Sequence, residues 1–172
     1  MNRRQCGSAA QPSQCLRLEE MTELEQFADT LKRGFDGNSW QGRSLSELLT
    51  DIGPEQAMVH PVAQAHSIWE IVLHIRVWHE VVRRRMAGET VQPSDTESFP
   101  ECAGGASEWQ RAVEALRQST YETATAICHF PVARLEDSVP GKNYAYRHLL
   151  SGIATHDAYH AGQIALLKKV LV

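Results

Sequence analysis

Cysteine is scarce and scattered: Cys6, Cys15, Cys102 and Cys128 are the only four in 172 residues, and no two form a C-x-x-C pair. That excludes a zinc ribbon and a thioredoxin-like redox motif. A disulfide between Cys6 and Cys15 is open on spacing, with nothing else to support it. No apolar run approaches the ~20 residues of a membrane span. Met1 to Arg17 carry arginines but no apolar stretch of roughly 7–15 residues, so a secretory signal is not expected either. Long basic runs are missing too. The densest, Arg83-Arg84-Arg85, falls at the end of a predicted helix, where cations complement the dipole, and reads as a solvated helix end. With a formal net charge of −4, the chain has no nucleic-acid footprint. Alternating β patterns and internal repeats are also lacking. The expectation is a soluble, cytoplasmic protein of a reducing compartment, with no membrane or nucleic-acid partner.

What is present is helical periodicity. Residues 1–17 are polar and rich in Ser, Gln, Ala and Pro, and read as a flexible N-terminal arm. Residues 18–172 read as one domain, long enough to bury about 70% of the surface of its unfolded chain. From Leu18, the positions Leu18, Met21, Leu24, Phe27, Ala28 and Leu31 follow a helical period that ends near Gly34 to Gly37. Ser44-Leu45-Ser46-Glu47 has the form of a capping box opening a short helix, and Gly53-Pro54 breaks it before another turn to Val59. Ser67-Ile68-Trp69-Glu70 is a second capping box, starting a helix from Ile68 to Ala87 that Gly88 closes. A polar, Pro-containing loop leads to a helix from Ser107 to Cys128. A last helix runs from about Tyr144 onward. Four long helices with short helical pieces between them predict an all-α fold, a four-helix bundle.

The chemistry sits in histidines. His156 and His160 are four apart on the last helix, so both imidazoles lie one turn apart on one face, interrupting a stripe that includes Ile153 and Ile164. Two costly polar groups side by side on an apolar face favour a shared ligand over two separate core histidines. Gly152 and Gly162 lower helix propensity there, compatible with close approach of another helix or a ligand. His74, between Ile71 and Trp78, lies at the edge of the apolar stripe of the second long helix; the pattern leaves it open as a third ligand or a boundary histidine. Glu70, one turn earlier, would orient its ring or simply serve the capping box. His60, His66, His79 and His129 are weaker candidates, and His148 would reach the same cavity but not the metal. His156-Asp157-Ala158-Tyr159-His160 differs from the zincin H-E-x-x-H in carrying Asp157 where the general-base glutamate belongs, which speaks against a protease.

The segments Ser67-Ile68-Trp69-Glu70-Ile71-Val72-Leu73-His74-Ile75 and His156-Asp157-Ala158-Tyr159-His160-Ala161-Gly162-Gln163-Ile164, with the loop Trp40-Gln41-Gly42-Arg43-Ser44-Leu45, resemble the DinB/YfiT-like family of four-helix metalloproteins, over roughly residues 18–170. The resemblance implies a bundle with a crossover connection, commonly a homodimer. It also implies one divalent metal held by His74, His156 and His160. Family members are described as metal-dependent hydrolases, or as S-transferases and isomerases using low-molecular-weight thiols.

Three neutral imidazoles leave the charge of a divalent ion uncompensated and a coordination position open, as in a catalytic site. Such an ion acidifies a bound water or thiol. Zinc is the first choice; nickel, iron and manganese remain open, and a thiol cofactor stays with the family resemblance. Gln163 lies on the histidine face, and Trp78, Tyr144 and Tyr159 are candidate pocket walls. No residue is assigned as the catalytic base. Asp157, turned ~100° from the ligand face, is expected to face away or support a neighbour. The two functional readings are a metal-dependent enzyme acting on a small molecule and a non-catalytic metal-binding or stress-response protein.

Overall fold

The computed structural model describes residues 21–171, so the arm and the pairing considered for Cys6 and Cys15 lie outside the described residues. Among the described residues there are seven α-helices and no strands: α1 (Glu23–Asp36), α2 (Leu45–Leu49), α3 (Pro54–Met58), α4 (Ile68–Met86), α5 (Asp95–Ser98), α6 (Ala106–Cys128) and α7 (Tyr146–Val170). Among the described residues no helix is long and apolar enough to cross a membrane.

Reciprocal capping boxes start α1, α2, α4 and α5, at Thr22/Glu25, Ser44/Glu47, Ser67/Glu70 and Ser94/Glu97. In each, the hydroxyl accepts from the N3 backbone while the N3 glutamate accepts from the cap's own N–H, so two otherwise unpaired donors are satisfied. The Thr22 box places the start of α1 at Glu23, later than periodicity alone predicts. The α7 start also moves, to Tyr146. Ser138 and Ala145 form an isolated antiparallel bridge, which holds Ala145 extended. At the end of α4, Glu89 N–H bonds to Arg84 O and Gly88 N–H to Arg85 O, with Gly88 at φ +94°, a left-handed stop that glycine adopts without strain.

The four long helices form a bundle in which α1 and α4 each pack against both α6 and α7. Along α4, His74, His79 and Arg85 meet His160, Asp157 and Tyr146 of α7 in turn, so these two helices run antiparallel. Trp69 and Arg83 of α4 meet Trp109 and Ser119 of α6, so α4 and α6 run parallel. Parallel neighbours need a connection that travels back the length of a helix, about 28 Å for the 19 residues of α4. Residues 87–105 make that crossing alongside α4. Val91 O accepts from Arg85, Ser98 from His74 and Trp78, and the Phe99 ring stacks on His66 and His74.

The core is in two parts. One gathers Phe35, the α2 leucines, Trp69, Ile75, Trp109, Leu116 and Ile164; the other gathers Leu24, Leu31, Val82, Ile127, Tyr146, Leu150 and Ile153. Between them α4, α6 and α7 contribute a buried polar layer: His74 and His79; Ser119, Thr120 and Thr123; Asp157 and His160. The fold thus places a slab of polar chemistry across the middle of an apolar bundle.

Three arginines thought to share a solvated helix end divide among three fates. Arg84 pairs with Glu89 in solvent, and Arg83 bonds to Ser119 and Thr123 of α6. Arg85 is 2% exposed. Successive helix residues turn by ~100°, so three in a row on a helix with neighbours on two sides cannot all face water.

Candidate metal centre

His74 lies on α4, two turns from its N-terminus, and His156 and His160 lie mid-way along α7, one turn apart. One ring nitrogen from each falls within 4.8 Å of the other two. The Nε2 atoms of His74 and His156 are 3.2 Å apart, and the His160 ring lies 4.6 Å and 4.5 Å from those of His74 and His156.

The outer nitrogens explain why the inner ones converge. His74 Nδ1–H donates to the backbone oxygen of Ser98 at 2.9 Å. His156 Nδ1–H donates to Asp157 Oδ1 at 3.3 Å, and His160 Nδ1–H to Gln163 Oε1 at 2.6 Å. With each Nδ1 carrying the proton, each Nε2 of a neutral ring presents a bare lone pair to the common point. Lone pairs facing one another at 3.2 Å repel unless a cation lies among them. Tetrahedral zinc with Zn–N of 2.0–2.1 Å sets its nitrogens about 3.3 Å apart, so the residues present fit such an ion. Burial, reinforced by the neighbouring His160 and His156, lowers the His74 pKa to about 4. Burial and the His156 charge lower that of His160. The rings of His74 and His160 are therefore neutral near pH 7, the form that ligates metal.

Asp157 is the support that sequence reasoning half found. It does not face away; it is 3% exposed, and its second oxygen accepts from His79 Nε2–H at 2.8 Å. Burial pushes its carboxyl up, but His79 and the hydrogen bonds from His156 and His79 outweigh this and hold it below the usual carboxylate range. One carboxylate thus orients a converging histidine and anchors a fully buried one on the opposite helix. His79 Nδ1 is buried without a hydrogen-bond partner among the described residues.

Glu70 does not touch His74. Its carboxylate accepts from the Ser67 backbone N–H at 2.7 Å and faces His60 at 2.9 Å and His66 at 3.4 Å, so the capping-box role prevails. Ser98 takes the orienting role instead, and its hydroxyl accepts from Trp78 Nε1–H at 3.1 Å. The Phe99 ring lies stacked between His66 and His74, with centroids at 3.5 and 4.0 Å. Ser98 and Phe99 sit in what reads as plain loop, although Ser94-x-x-Glu97 was a legible capping box there.

Two cavities flank the histidines. One, of about 190 Å³, is lined by Trp78, Arg85, Tyr144, His148, Gly152 and His156. The other, of about 470 Å³, includes His66, Phe99, Tyr159, His160 and Gln163. Tyr159 is largely exposed, with its ring 5.1 Å from that of His160. His148 lines the first cavity without joining the three-histidine group. A Cβ built at Gly152 or Gly162 meets no atom within 4 Å, so no helix approaches closely at either; Gly152 borders the first cavity. Cys102 and Cys128 are free thiols.

The family model for the DinB superfamily matches residues 39–164, from the loop before α2 through all three histidines. No curated protein and no solved structure matches the chain.

Proposed function

This chain belongs to the DinB superfamily, and from that premise we propose that it is a metal-dependent enzyme acting on a small molecule, of thiol S-transferase or hydrolase type. The observation that carries this reading is the set of three Nε2 lone pairs turned to one point, each ring fixed from behind by Ser98, Asp157 or Gln163. His74, His156 and His160 would hold the ion. When bound through three neutral imidazoles, a divalent ion keeps its charge and open positions, and supplies Lewis-acid chemistry that acidifies a water or thiol reaching it.

The chain's own residues do the rest. Asp157, Ser98 and Gln163 fix ring orientation and raise the basicity of the ligating nitrogens. Phe99 and Trp78, packed beside the His74 and His156 rings, limit access of bulk water. The cavities reach His156 from one side and His160 from the other, which gives two reactants separate approaches. A homodimer belongs to the same reading, and sedimentation tests it.

One observation favours a second reading, in which the metal serves stability alone: the histidines join α4 to α7 between the two core clusters, so an ion there would cross-link the bundle. Metal analysis of purified protein, followed by assays with low-molecular-weight thiols plus electrophiles and with hydrolysable esters and amides, separates these. The enzyme reading expects about one ion per chain, lost in His74→Ala, His156→Ala and His160→Ala, with turnover that chelation abolishes. A folded protein that takes up no divalent ion would overturn both readings. Stoichiometric metal with no turnover across the assays would leave the stabilising role.

A further inference from the structure

The cavity on the His156 side contains a cation that nothing in the described chain neutralises. Arg85 is 2% exposed, yet among the described residues its guanidinium hydrogen-bonds only to neutral groups. Nε–H and one Nη2–H donate to Val91 O at 3.2 and 2.8 Å, and one Nη1–H donates to the Tyr144 hydroxyl at 3.1 Å. Its neighbours in the arginine run are paired with carboxylates, Arg83 with Glu80 and Arg84 with Glu89. A guanidinium has five N–H donors, so among the described residues each terminal nitrogen keeps one without an acceptor. The Tyr144 hydroxyl accepts from Arg85, and its own O–H has no acceptor among the described residues. Spare donors and an unbalanced buried charge, lining one cavity, call for an anion.

The cavity also says which anion. Its walls are mostly apolar, with Val82, Leu149 and Ile153 beside Trp78, and its volume of about 190 Å³ suits a small molecule rather than a polymer. That is the size of a short organic acid. Two spare N–H groups on Arg85 offer one donor to each oxygen of a planar carboxylate, and the apolar walls suit the hydrocarbon of an organic acid better than a fully hydrated tetrahedral anion. The Trp78 indole lies 5.5 Å from the Arg85 guanidinium carbon and 5.7 Å from the His156 ring. It forms the wall that leads from the cation to the histidines.

We propose that this cavity is a carboxylate subsite: Arg85 and Tyr144 anchor the acid group of a small organic acid whose other end reaches the three-histidine centre. The anchoring stands on Arg85 alone, whereas its place in a substrate pocket rests on the enzymatic reading above. Calorimetric titration with butyrate tests it, with butyramide as the neutral match and inorganic phosphate as the tetrahedral anion, on metal-loaded and on chelator-treated protein. Butyrate should bind both forms, about tenfold or more tighter than butyramide or phosphate. Arg85→Gln should weaken butyrate binding by a similar factor. Because that variant also loses bonds to Val91, Gly152→Leu provides an independent check: it fills the cavity from α7 and leaves every Arg85 hydrogen bond in place, and it too should abolish binding. Butyrate binding that vanishes on chelation places the carboxylate on the metal and overturns the proposal. So does equal binding of butyramide or phosphate, or unchanged binding in Gly152→Leu. If no metal binds but butyrate still binds through Arg85, the carboxylate subsite stands and the enzymatic reading falls.

Discussion

At the scale of single residues, the histidines differ less by identity than by what stands behind them. His74, His156 and His160 each have an acceptor on Nδ1, and the fully buried His79 has its acceptor on Nε2 instead. The His156 and His160 pair was legible because side chains that share a point from one helix must repeat at one turn, whereas pattern left His74, on another helix, open and only the family resemblance joined it to the pair. Asp157 was legible only in part, as a residue that either faces away or supports a neighbour, because a helix lodged between two neighbours buries more than one stripe and the stripe of Ile153 and Ile164 hides the second one. The lowered pKa values carry a consequence for stability. The unfolded chain protonates His74 near 6.5, whereas the folded protein resists until about pH 4. Between those values the unfolded state binds more protons, so metal-free protein should lose stability as pH falls through this window, by on the order of 3 kcal/mol from His74, with His160 adding in the same direction. Asp157, held below the usual carboxylate range, adds its own loss only below about pH 4. Urea midpoints of chelator-treated protein at pH 7.5, 6 and 5 check this; a flat series would contradict it.

At the scale of elements, boundaries follow local chemistry wherever a cap is present and drift where tertiary contact decides. Ser44, Ser67 and Gly88 mark their helix ends as their residue types require. The start of α7 could not be read, since Ala145 is held extended by Ser138 across a loop. Nor could the path of residues 87–105: a polar loop shows its composition, not that it must retrace α4 because α6 runs parallel. Two glycines separate the effects of conformation and propensity. Gly88→Ala, at φ +94°, should cost about 1 kcal/mol and lower Tm by roughly 2–4 °C. Gly34→Ala, inside α1 with no atom within 4 Å of the new Cβ, should raise stability by a similar amount. Thermal melts of the two variants should move in opposite directions, and a shared direction would contradict the assignment.

At the scale of the whole molecule, the all-α class and the bundle follow from periodicity, but the division of the core by a polar layer does not. It requires His79, Thr120 and Asp157, unremarkable singly, to arrive at one level on three helices. That level also has a temporal side. His74 and His156 are 82 residues apart, with all of α6 between them. Closing so long a loop is among the slowest contacts a chain makes, so the three nitrogens meet only after the helices have docked. An ion that prefers the finished geometry has little to hold in the transition state. Added zinc should therefore leave the refolding rate nearly unchanged and slow unfolding by the full factor of its binding, visible in stopped-flow chevrons as movement of one arm alone. The polar layer would then act as a latch: it does nothing to hasten assembly, and it sets how long the assembled bundle lasts.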